Sequence, residues 1–523
     1  MDNHTGRFIQ NIRASIKPGR MDGPSERGGC LFVSVLPDDL TTACHACLTA
    51  GAAFDSAFVA SAGGKPGKEF DVHYLFRAAD IHRMVVISSR GSAFSALSST
   101  LSAAIWDERK MQDLTGMHLE GIPDSRPLIF HPESGLPESH PVGGRAFRKP
   151  KNPHYAMQGT GAEGEFEVAV GPVHAGIIEP GHFRFHVSGE RINKMEVRMF
   201  YLHRGMEKAA EGKRADAVMP LIEQISGDES AANSVAYCQA VEQALGISVP
   251  KRAEAIRAVL MELERIYSHL ADIGGMATDI GFTLPASRFA VMREDMMRLN
   301  EAVTGNRFLR SQCVVGGVSA DFDGNTAHII AHALERLQHS IEPVGRMTFA
   351  SSTFLDRTFQ TGAISKDIVW ELALVGPAAR ACGVHTDLRI MLPYSGYSKN
   401  APNESVETGG GDVLSRFGVK FAEVEESIKL IKHILSELPQ GALRAPVPKK
   451  ASAIIGVGWS EAPRGGCTFL VELAGNGTIK RLAYRSSSFR NWRALEKAVE
   501  RNIVPDFPLI NKSFNLSYAG TDM

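Results

Sequence analysis

The sequence changes character at residues 132–164, a polar stretch that is rich in proline and glycine. Before it, residues 30–131 alternate short strand-like runs with helical runs, which is typical of an α/β domain. After it, residues 165–523 begin with strand-like runs and then become mainly helical. A stretch of this composition predicts a linker, and 523 residues are too many for one ordinary core. We therefore expect two unequal domains, preceded by a disordered segment or arm over residues 1–29.

Hydrophobic periodicity predicts an α+β fold. Apolar residues recur at helical spacing from Ile256 to Leu270 and predict a long amphipathic helix over residues 252–272 that ends near Gly274. Strand-like runs return after Ser452, where "GNG" marks a tight hairpin turn. The expected architecture is an N-terminal α/β domain, a mainly helical bundle domain with a peripheral β-hairpin, and a small C-terminal region that contains strands. The other expected helices lie near residues 288–303, 326–341, 366–382 and 412–436.

Composition excludes several classes of protein. The formal net charge is -1, which does not suggest a nucleic-acid-binding protein. No apolar run is long enough to cross a bilayer, and the N-terminus lacks the apolar core of a secretory signal. The seven cysteines are scattered, as expected for reduced thiols in the cytoplasm, and the lone CxxC at Cys44 and Cys47 lacks the further ligands of a metal site.

The segment "QISGDESAANSVAYCQAVEQALG", residues 224–246, has two interpretations. Its second half places alanine, valine and leucine on one helical face. Its first half crowds small polar residues at the start of that helix. Ser226 and Glu229 have the spacing of a capping box, in which the side chain of each residue would accept the backbone N–H of the other residue. The alternative is that these residues line a pocket.

Residues 106–130, "WDERKMQDLTGMHLEGIPDSRPLIF", resemble the signature of the thirty-kilodalton subunit family of respiratory complex I. Lys110 and Ile122 depart from the family pattern. The residues that match it are Glu108, Arg109, Asp113, Leu114, Gly116, Gly121, Pro123, Asp124 and Arg126.

The second part of the chain resembles the large subunit of membrane-bound, energy-converting nickel-iron hydrogenases of the hydrogenase-4 and formate hydrogenlyase type. It is also similar to the 49 kDa, quinone-site subunit of complex I. Leu309 and "EPGHFRF" favour the hydrogenase branch. The matching stretches are "GPVHAGIIEPGHFRF", "YLHRGMEK", "RAVLMELERIYSHLADIG", "VTGNRF", "GDVLSRF", "EAPRGG" and "NKSFNLSYAGTD".

The resemblance implies that the nickel ligands have been replaced. Hydrogenases of this family hold nickel with two pairs of cysteines. The first pair aligns with Ser226 and Glu229, the histidine that follows it with Asn233, and the second pair with Ser517 and Gly520. A nickel-iron site needs soft thiolate ligands, whereas hydroxyl and carboxylate oxygens are hard and glycine offers no ligand. We therefore expect no metal at this site and no hydrogenase activity.

What remains, by resemblance, is a cavity without its metal. Arg464 lies in "EAPRGG", which borders the active site in hydrogenases, and Asp279 matches an aspartate that supports the quinone headgroup site of complex I. The tyrosine that contacts quinone in complex I aligns with Gly227. The resemblance implies catalytic roles for Glu229, Asp228, Ser226, Arg464 and Asp279, and cofactor contacts for His174, His182, Asn233 and Ser517.

Each candidate also has a purely structural interpretation. Arg464 would pair with a buried acid, a common role of arginine. Asp279 would cap the segment after a glycine-rich break, and His174 and His182 would be satisfied within a β-hairpin. On the long helix, we expect a solvated or partner-facing surface that carries Glu262, Glu264, Arg265 and His269.

Two classes of function stay open at this point. The first is an oxidoreductase subunit that takes electrons from an iron–sulfur cluster to a quinone-like or other acceptor, coupled to ion movement. The cluster would lie in a small partner protein similar to the iron–sulfur small subunit of complex I. The other implied partners are a ferredoxin-like protein and antiporter-like membrane proteins, with the chain peripheral on the inner face of the cell membrane.

No cofactor is expected to bind directly, and NAD would enter only through a distal component of the complex, since no phosphate-binding loop is present. The second class is a non-redox scaffold or conformational transducer.

Overall fold

A computed structural model describes residues 3–61, 67–147, 155–175, 178–402, 407–448 and 455–523. Its N-terminal part is built around a mixed five-stranded sheet in the order β1-β2-β5-β4-β3. Strands β2 and β5 are parallel, and the other neighbouring pairs are antiparallel. The elements of this part are α1 Asn3–Ala14, β1 Met21–Arg27, β2 Cys30–Val35, α2 Leu40–Thr49, β3 Ala53–Ser61, β4 Phe70–Ala78, β5 Arg83–Gly91, β6 Phe94–Ser95, α3 Ile105–Thr115 and β7 Leu119–Glu120.

Residues 3–29, part of the segment expected to be disordered or an arm, contain a helix and a strand. Helix α1 buries Phe8, Ile9 and Ile12 in the core of the N-terminal part. Strand β1 pairs with β2 from Met21 to Arg27. The apolar positions of α1 recur at helical spacing, so a basic segment that would be marginal alone is held by packing.

The predicted β-hairpin after residue 165 is part of a three-stranded antiparallel sheet in the order β10-β9-β8. The sheet consists of β8 Phe166–Val170, β9 His182–Ser188 and β10 Arg191–Arg198. The helical body follows, and its helices are α4 Met206–Ala210, α5 Met219–Ile222, α6 Ser230–Leu245, α7 Lys251–Ile280, α8 Thr283–Thr304, α9 Gly324–Phe349, α10 Ser352–Thr358, α11 Lys366–Leu372, α12 Gly376–Arg380, α13 Leu388–Met391, α14 Tyr397–Asn400 and α15 Val413–Ser436. A short hairpin, β11 Cys313–Val314 and β12 Gly317–Val318, lies between α8 and α9.

Helix α7 does not end near Gly274, as the sequence predicted, but continues to Ile280. A Cβ on Gly274 would lie 3.2 Å from the Cβ of Phe289 on α8. The glycine therefore permits close approach of the two helices, and the packing outweighs its low helix propensity. Asp279 lies in the last turn of α7 and caps no new segment. The helix expected at residues 366–382 is broken into α11 and α12 at Ala373, whose φ is 50°.

The predicted solvated or partner-facing surface on α7 is also wrong. Glu262, Glu264, Arg265 and His269 are all 0% exposed. Glu262 pairs with Arg265 at 3.2 Å and with Arg389 at 3.1 Å. The Nε2 atom of His269 lies 2.8 Å from Glu423 on α15. Burial of Glu262, Arg265 and His269 is tolerated because ionisable partners meet them inside the helical body, and the Glu264 carboxyl group accepts two backbone N–H groups instead.

The C-terminal region confirms the predicted strands. An antiparallel sheet is formed by β13 Ile455–Ala462, β14 Gly465–Leu473 and β15 Ile479–Arg485, with the predicted turn at Gly475–Gly477. Helices α16 Ser487–Ala498, α17 Phe507–Phe514 and α18 Tyr518–Asp522 complete the chain. Helix α6 packs against β13, where a Cβ on Gly456 or Gly458 would overlap backbone oxygens of α6. The predicted α+β fold is thus confirmed.

Buried ion pairs join the N-terminal part to the C-terminal sheet and its following helix. Asp55 pairs with Arg485 at 2.5 Å, and Asp107 pairs with Arg490 at 2.9 Å. The described residues of the predicted linker contact both parts, since His140 bonds to the Asp113 backbone and Pro141 accepts a bond from Lys208. Residues 148–154 of that segment lie outside the described residues, and the domain boundaries stay predictions. Within the described residues, no helix is both long and apolar enough to cross a membrane.

Candidate functional site

Three distant segments meet beside the start of α6. The Oγ atoms of Ser226 and Ser517 are 2.9 Å apart, although the residues are 291 positions apart in the chain. Ser517 caps α18 by accepting the Gly520 N–H at 2.9 Å. A Cβ on Gly520 would lie 3.3 Å from the Cβ of Ser226. Three of the four positions aligned with nickel-binding cysteines, 226, 517 and 520, are therefore neighbours.

The capping box predicted for Ser226 and Glu229 does not form. Helix α6 begins at Ser230, and the side chain of its N-cap residue, Glu229, makes no capping hydrogen bond. The Ser226 hydroxyl contacts Asp228 Oδ1 at 2.8 Å. Glu264 on α7 takes the capping role, since its carboxylate accepts the N–H groups of Ala231 at 2.7 Å and Ala232 at 2.9 Å. Because Glu264 satisfies these helix amides, Ser226 and Glu229 are available for contacts on the other side of the helix start.

Arg464 connects these residues. It lies in the turn between β13 and β14 and is 6% exposed. Its Nη2 atom is 2.5 Å from Asp228 Oδ2, and its Nη1 atom is 3.2 Å from Glu229 Oε1. Its Nε donates to the backbone oxygen of Asn515, just before Ser517. The interpretation that Arg464 pairs with buried acids therefore agrees with its contacts, and the same contacts bring the fourth aligned position, Glu229, to the cluster.

The two carboxylates beside Arg464 differ in their electrostatics. Burial raises the pKa of Glu229, against the opposing charge of Arg464, and the negative charge of Asp228 adds to the rise. Burial would also raise the pKa of Asp228, but the charge and hydrogen bond of Arg464 outweigh it, and the pKa of Asp228 is lowered. The Asp228 side chain is 39% exposed, whereas that of Glu229 is 1% exposed. Glu229 is thus the group whose proton is held more tightly, and Asp228 is the ionised partner of Arg464.

A cavity of about 850 Å³ opens beside this cluster. Six of the nine predicted site residues line it, and Glu229, which does not, contacts the lining residue Arg464. His182 and Asn233 do not line it, because His182 bonds to the Gly171 backbone at 3.0 Å and Asn233 accepts a bond from Tyr484 at 2.7 Å. The predicted residues that line the cavity are Ser226, Asp228, Asp279, Arg464, His174 and Ser517.

Sequence reasoning missed four charged residues of the cavity wall. Glu179, in the segment between β8 and β9, accepts the Ala519 N–H at 2.9 Å. Arg293, Arg310 and Lys512 come from α8, the segment after α8, and α17. Glu179 and Lys512 lie in stretches that resembled the hydrogenases, and Arg310 adjoins one. No spacing in the sequence relates the four residues to one another.

The donor set at the aligned positions does not fit a nickel-iron site. Ser226 and Ser517 contact each other, Glu229 is paired with Arg464, and Gly520 has no side chain. Soft thiolates are the ligands that such a site requires, and the lining of the cavity contains no cysteine among the described residues. The cationic Arg464 guanidinium further disfavours a metal cation between the same carboxylates. Over the same described ranges, no group of three or more histidine, cysteine or acidic side chains could hold a metal ion.

The two parts of the chain match two family models. Residues 33–146 match the 30 Kd subunit of respiratory-chain NADH dehydrogenase, and residues 279–455 match its 49 Kd subunit. Formate hydrogenlyase subunit 5 of Escherichia coli (strain K12) is 30% identical over 447 residues, which are 84% of this chain and 78% of that protein. A component of the NADH-quinone oxidoreductase of Chloroherpeton thalassium is 32% identical over 351 residues, 62% of this chain and 80% of that protein.

A solved structure gives a further comparison. A chain from the membrane-bound sulfane sulfur reductase, an archaeal respiratory membrane complex, superposes with a TM-score of 0.65 at 26% identity, over 69% of this chain and 99% of that one. The fold and these similarities define a subunit of an oxidoreductase complex. The chain belongs to the family that contains formate hydrogenlyase subunit 5 and the 49 kDa subunit of respiratory NADH dehydrogenase, and it carries a domain of the 30 kDa type in the same polypeptide. Other subunits are therefore expected beside it.

Proposed function

We propose that this chain is a nickel-free core subunit of a membrane-associated oxidoreductase complex. Electrons from an iron–sulfur cluster in a small partner protein would reach an acceptor in the cavity, a quinone-like molecule or another compound. Ferredoxin-like and antiporter-like membrane proteins would complete the complex and couple the reaction to ion translocation, with the chain on the inner face of the cell membrane. One observation carries the proposal: Ser226, Glu229, Ser517 and Gly520 converge beside the cavity, and they offer three side chains with oxygen atoms and one glycine where relatives that bind nickel need thiolates.

Glu229 is the proposed proton donor. Reduction of a quinone-like acceptor by two electrons consumes two protons, so a proton source beside the cavity is required. Burial raises the pKa of Glu229, and a raised pKa favours the protonated form that a general acid needs. Asp228 lies on the cavity wall and shares Arg464 with Glu229. A proton lost by Glu229 would thus leave its negative charge next to a permanent cation.

The contacts of Arg464 favour the second candidate, a non-redox scaffold or conformational transducer. Arg464 binds Asp228, Glu229 and the Asn515 backbone, so the group of side chains is largely satisfied within the chain. Such a network would hold α6, the β13–β14 turn and the segment before α18 together without any chemistry. The two candidates differ in whether Glu229 must ionise.

The Glu229→Gln variant separates these two functions. Glutamine keeps the shape but cannot ionise, so the redox proposal expects acceptor reduction by the purified complex to fall by a factor of about ten to a thousand. The melting temperature should barely change. The matched control is Glu196→Gln, because Glu196 is also a buried, ion-paired glutamate, 2.5 Å from Arg126, but lies away from this cavity.

Full turnover by Glu229→Gln would support the scaffold and reject the proton-donor role. Metal analysis belongs in the same experiment. We expect no nickel in the complex that is attributable to this chain, and stoichiometric nickel would contradict the alignment on which the proposal depends.

A further inference from the structure

Four cationic and three acidic side chains line the cavity. Arg464 is paired with Asp228 and Glu229. Lys512 acts on Asp279, where its charge opposes the effect of burial on the pKa of that carboxyl group. The cations that line the cavity are Arg293, Arg310, Arg464 and Lys512, and the acids are Glu179, Asp228 and Asp279.

Arg293 and Arg310 are the two arginines of this wall that form no ion pair among the described residues, whereas Arg464 does. Among the described residues, neither guanidinium has a carboxylate oxygen within 4.0 Å, although other arginines of the same region do, such as Arg298 and Arg307 with Glu294. The Nε of each is buried and has no hydrogen-bond partner over the described ranges. Both arginines line the cavity, so an oxyanion bound there would supply the acceptors that the described part of the chain does not.

The surroundings of these cations leave room for them. A Cβ on Gly227 would lie 3.3 Å from Nη2 of Arg310, and the Arg310 guanidinium carbon is 5.6 Å from the centre of the Phe308 ring. A Cβ on Gly275 would lie 2.9 Å from Cδ of Lys512. Each glycine thus removes a side chain that would crowd a cation of the cavity. Gly227 is also the position aligned with the quinone-contacting tyrosine of complex I, so Arg310 lies where that ring would need space.

We infer that the cavity binds a small molecule through an oxyanion group, and that Arg310 and Arg293 bind this group. The planar guanidinium donates two parallel hydrogen bonds to a carboxylate or a similar oxyanion, which is the geometry that arginine recognises best. A cavity of about 850 Å³ accommodates a molecule of that kind. The identification of this molecule as the electron acceptor depends on the proposed function, and it implies an anionic acceptor and not a neutral quinone.

The test is equilibrium binding to the full chain, which requires no turnover. Sodium sulfate and sodium malonate are titrated by calorimetry at constant ionic strength set with sodium chloride. We expect saturable binding that weakens at least tenfold in Arg310→Gln and in Arg293→Gln. Arg310→Lys should lose part of the affinity, because it keeps the charge without the paired donors. The control is Arg307→Gln, since Arg307 lies nearby but is paired with Glu294 at 2.8 Å and does not line the cavity.

Absence of saturable binding would overturn the inference, and so would an equal loss of affinity in Arg307→Gln. Two independent arginine variants, each checked by circular dichroism, keep the result readable if one of them misfolds. Turnover assays separate this inference from the proposed function. Anion binding without acceptor reduction would support the anion site and reject the redox proposal. Quinone reduction that is altered neither by sulfate nor by Arg310→Gln would reject the anionic acceptor.

Discussion

Replacement of Arg464 by glutamine should destabilise the chain through Glu229. The substitution removes the cation that lies 3.2 Å from a carboxylate that is 1% exposed. At a pH at which Glu229 is ionised, removal of its partner costs about 3–5 kcal/mol, because the carboxylate charge stays buried and unpaired. The pair with Asp228 adds only about 0–1 kcal/mol, since the Asp228 side chain is 39% exposed and solvent screens it.

This cost converts to a measurable shift in melting temperature. The entropy of unfolding is about 2.1 cal/mol/K per residue, which gives about 1.1 kcal/mol/K if the 523 residues melt as one unit. The expected shift is therefore about 3–5 °C downward, measured by differential scanning calorimetry. The double variant Arg464→Gln with Glu229→Gln should recover about half of this loss, because it removes the unpaired charge as well.

The pH dependence has a definite sign. The pKa of Glu229 is raised above its ordinary 4.5, so the folded chain binds this proton more tightly than the unfolded chain does. Ionisation of Glu229 therefore costs stability above its folded pKa, and stability from this group returns as the pH falls toward 4.5. Asp228 has a lowered pKa and acts oppositely, with stability present above its ordinary 3.8 and lost as the pH falls through its folded pKa.

Loss of Arg464 would raise the pKa of Glu229 further. The decrease in melting temperature caused by Arg464→Gln should thus be smaller at pH 5 than at pH 7.5. A shift below about 1 °C at pH 7.5, or a double variant no more stable than the single one, would refute the reasoning.

Two further predictions concern assembly. The chain should co-purify from membranes with an iron–sulfur protein and integral membrane proteins, and treatment milder than detergent should release it; gel filtration of a native extract that yields only free monomer would contradict this. Cleavage by a protease within residues 132–164 should leave two fragments that still elute together, because Asp55–Arg485, Asp107–Arg490 and Lys110–Glu207 are buried between the two parts. Lys110→Met, which removes one of these pairs, should weaken that association, and separate elution of the unmodified fragments would show that the buried pairs do not hold the parts together.

Much of the fold could be predicted from local pattern. The apolar stripe of α7, the strands of the C-terminal sheet and the turn at Gly475–Gly477 depend on residues close together in the chain, and periodicity detects such features. The replacement of thiolates by oxygen donors at Ser226, Glu229 and Ser517 could likewise be predicted once the resemblance supplied the alignment. Local pattern failed at Gly274, where helix propensity predicted an end and the close approach of Phe289 favoured continuation.

The sequence by itself determined which ligand atoms this site can offer, because serine, glutamate and glycine have no thiolate in any fold. The tertiary structure decided what those atoms contact. The burial of Glu262 and His269 depends on Arg389 and Glu423, which lie more than 100 residues away along the chain and leave no trace in local periodicity. Glu264 caps α6 in place of Ser226 and Glu229, and Arg464 holds Asp228 and Glu229. Electrostatic partners of buried charges are chosen by distance in space, so only the folded chain could reveal them.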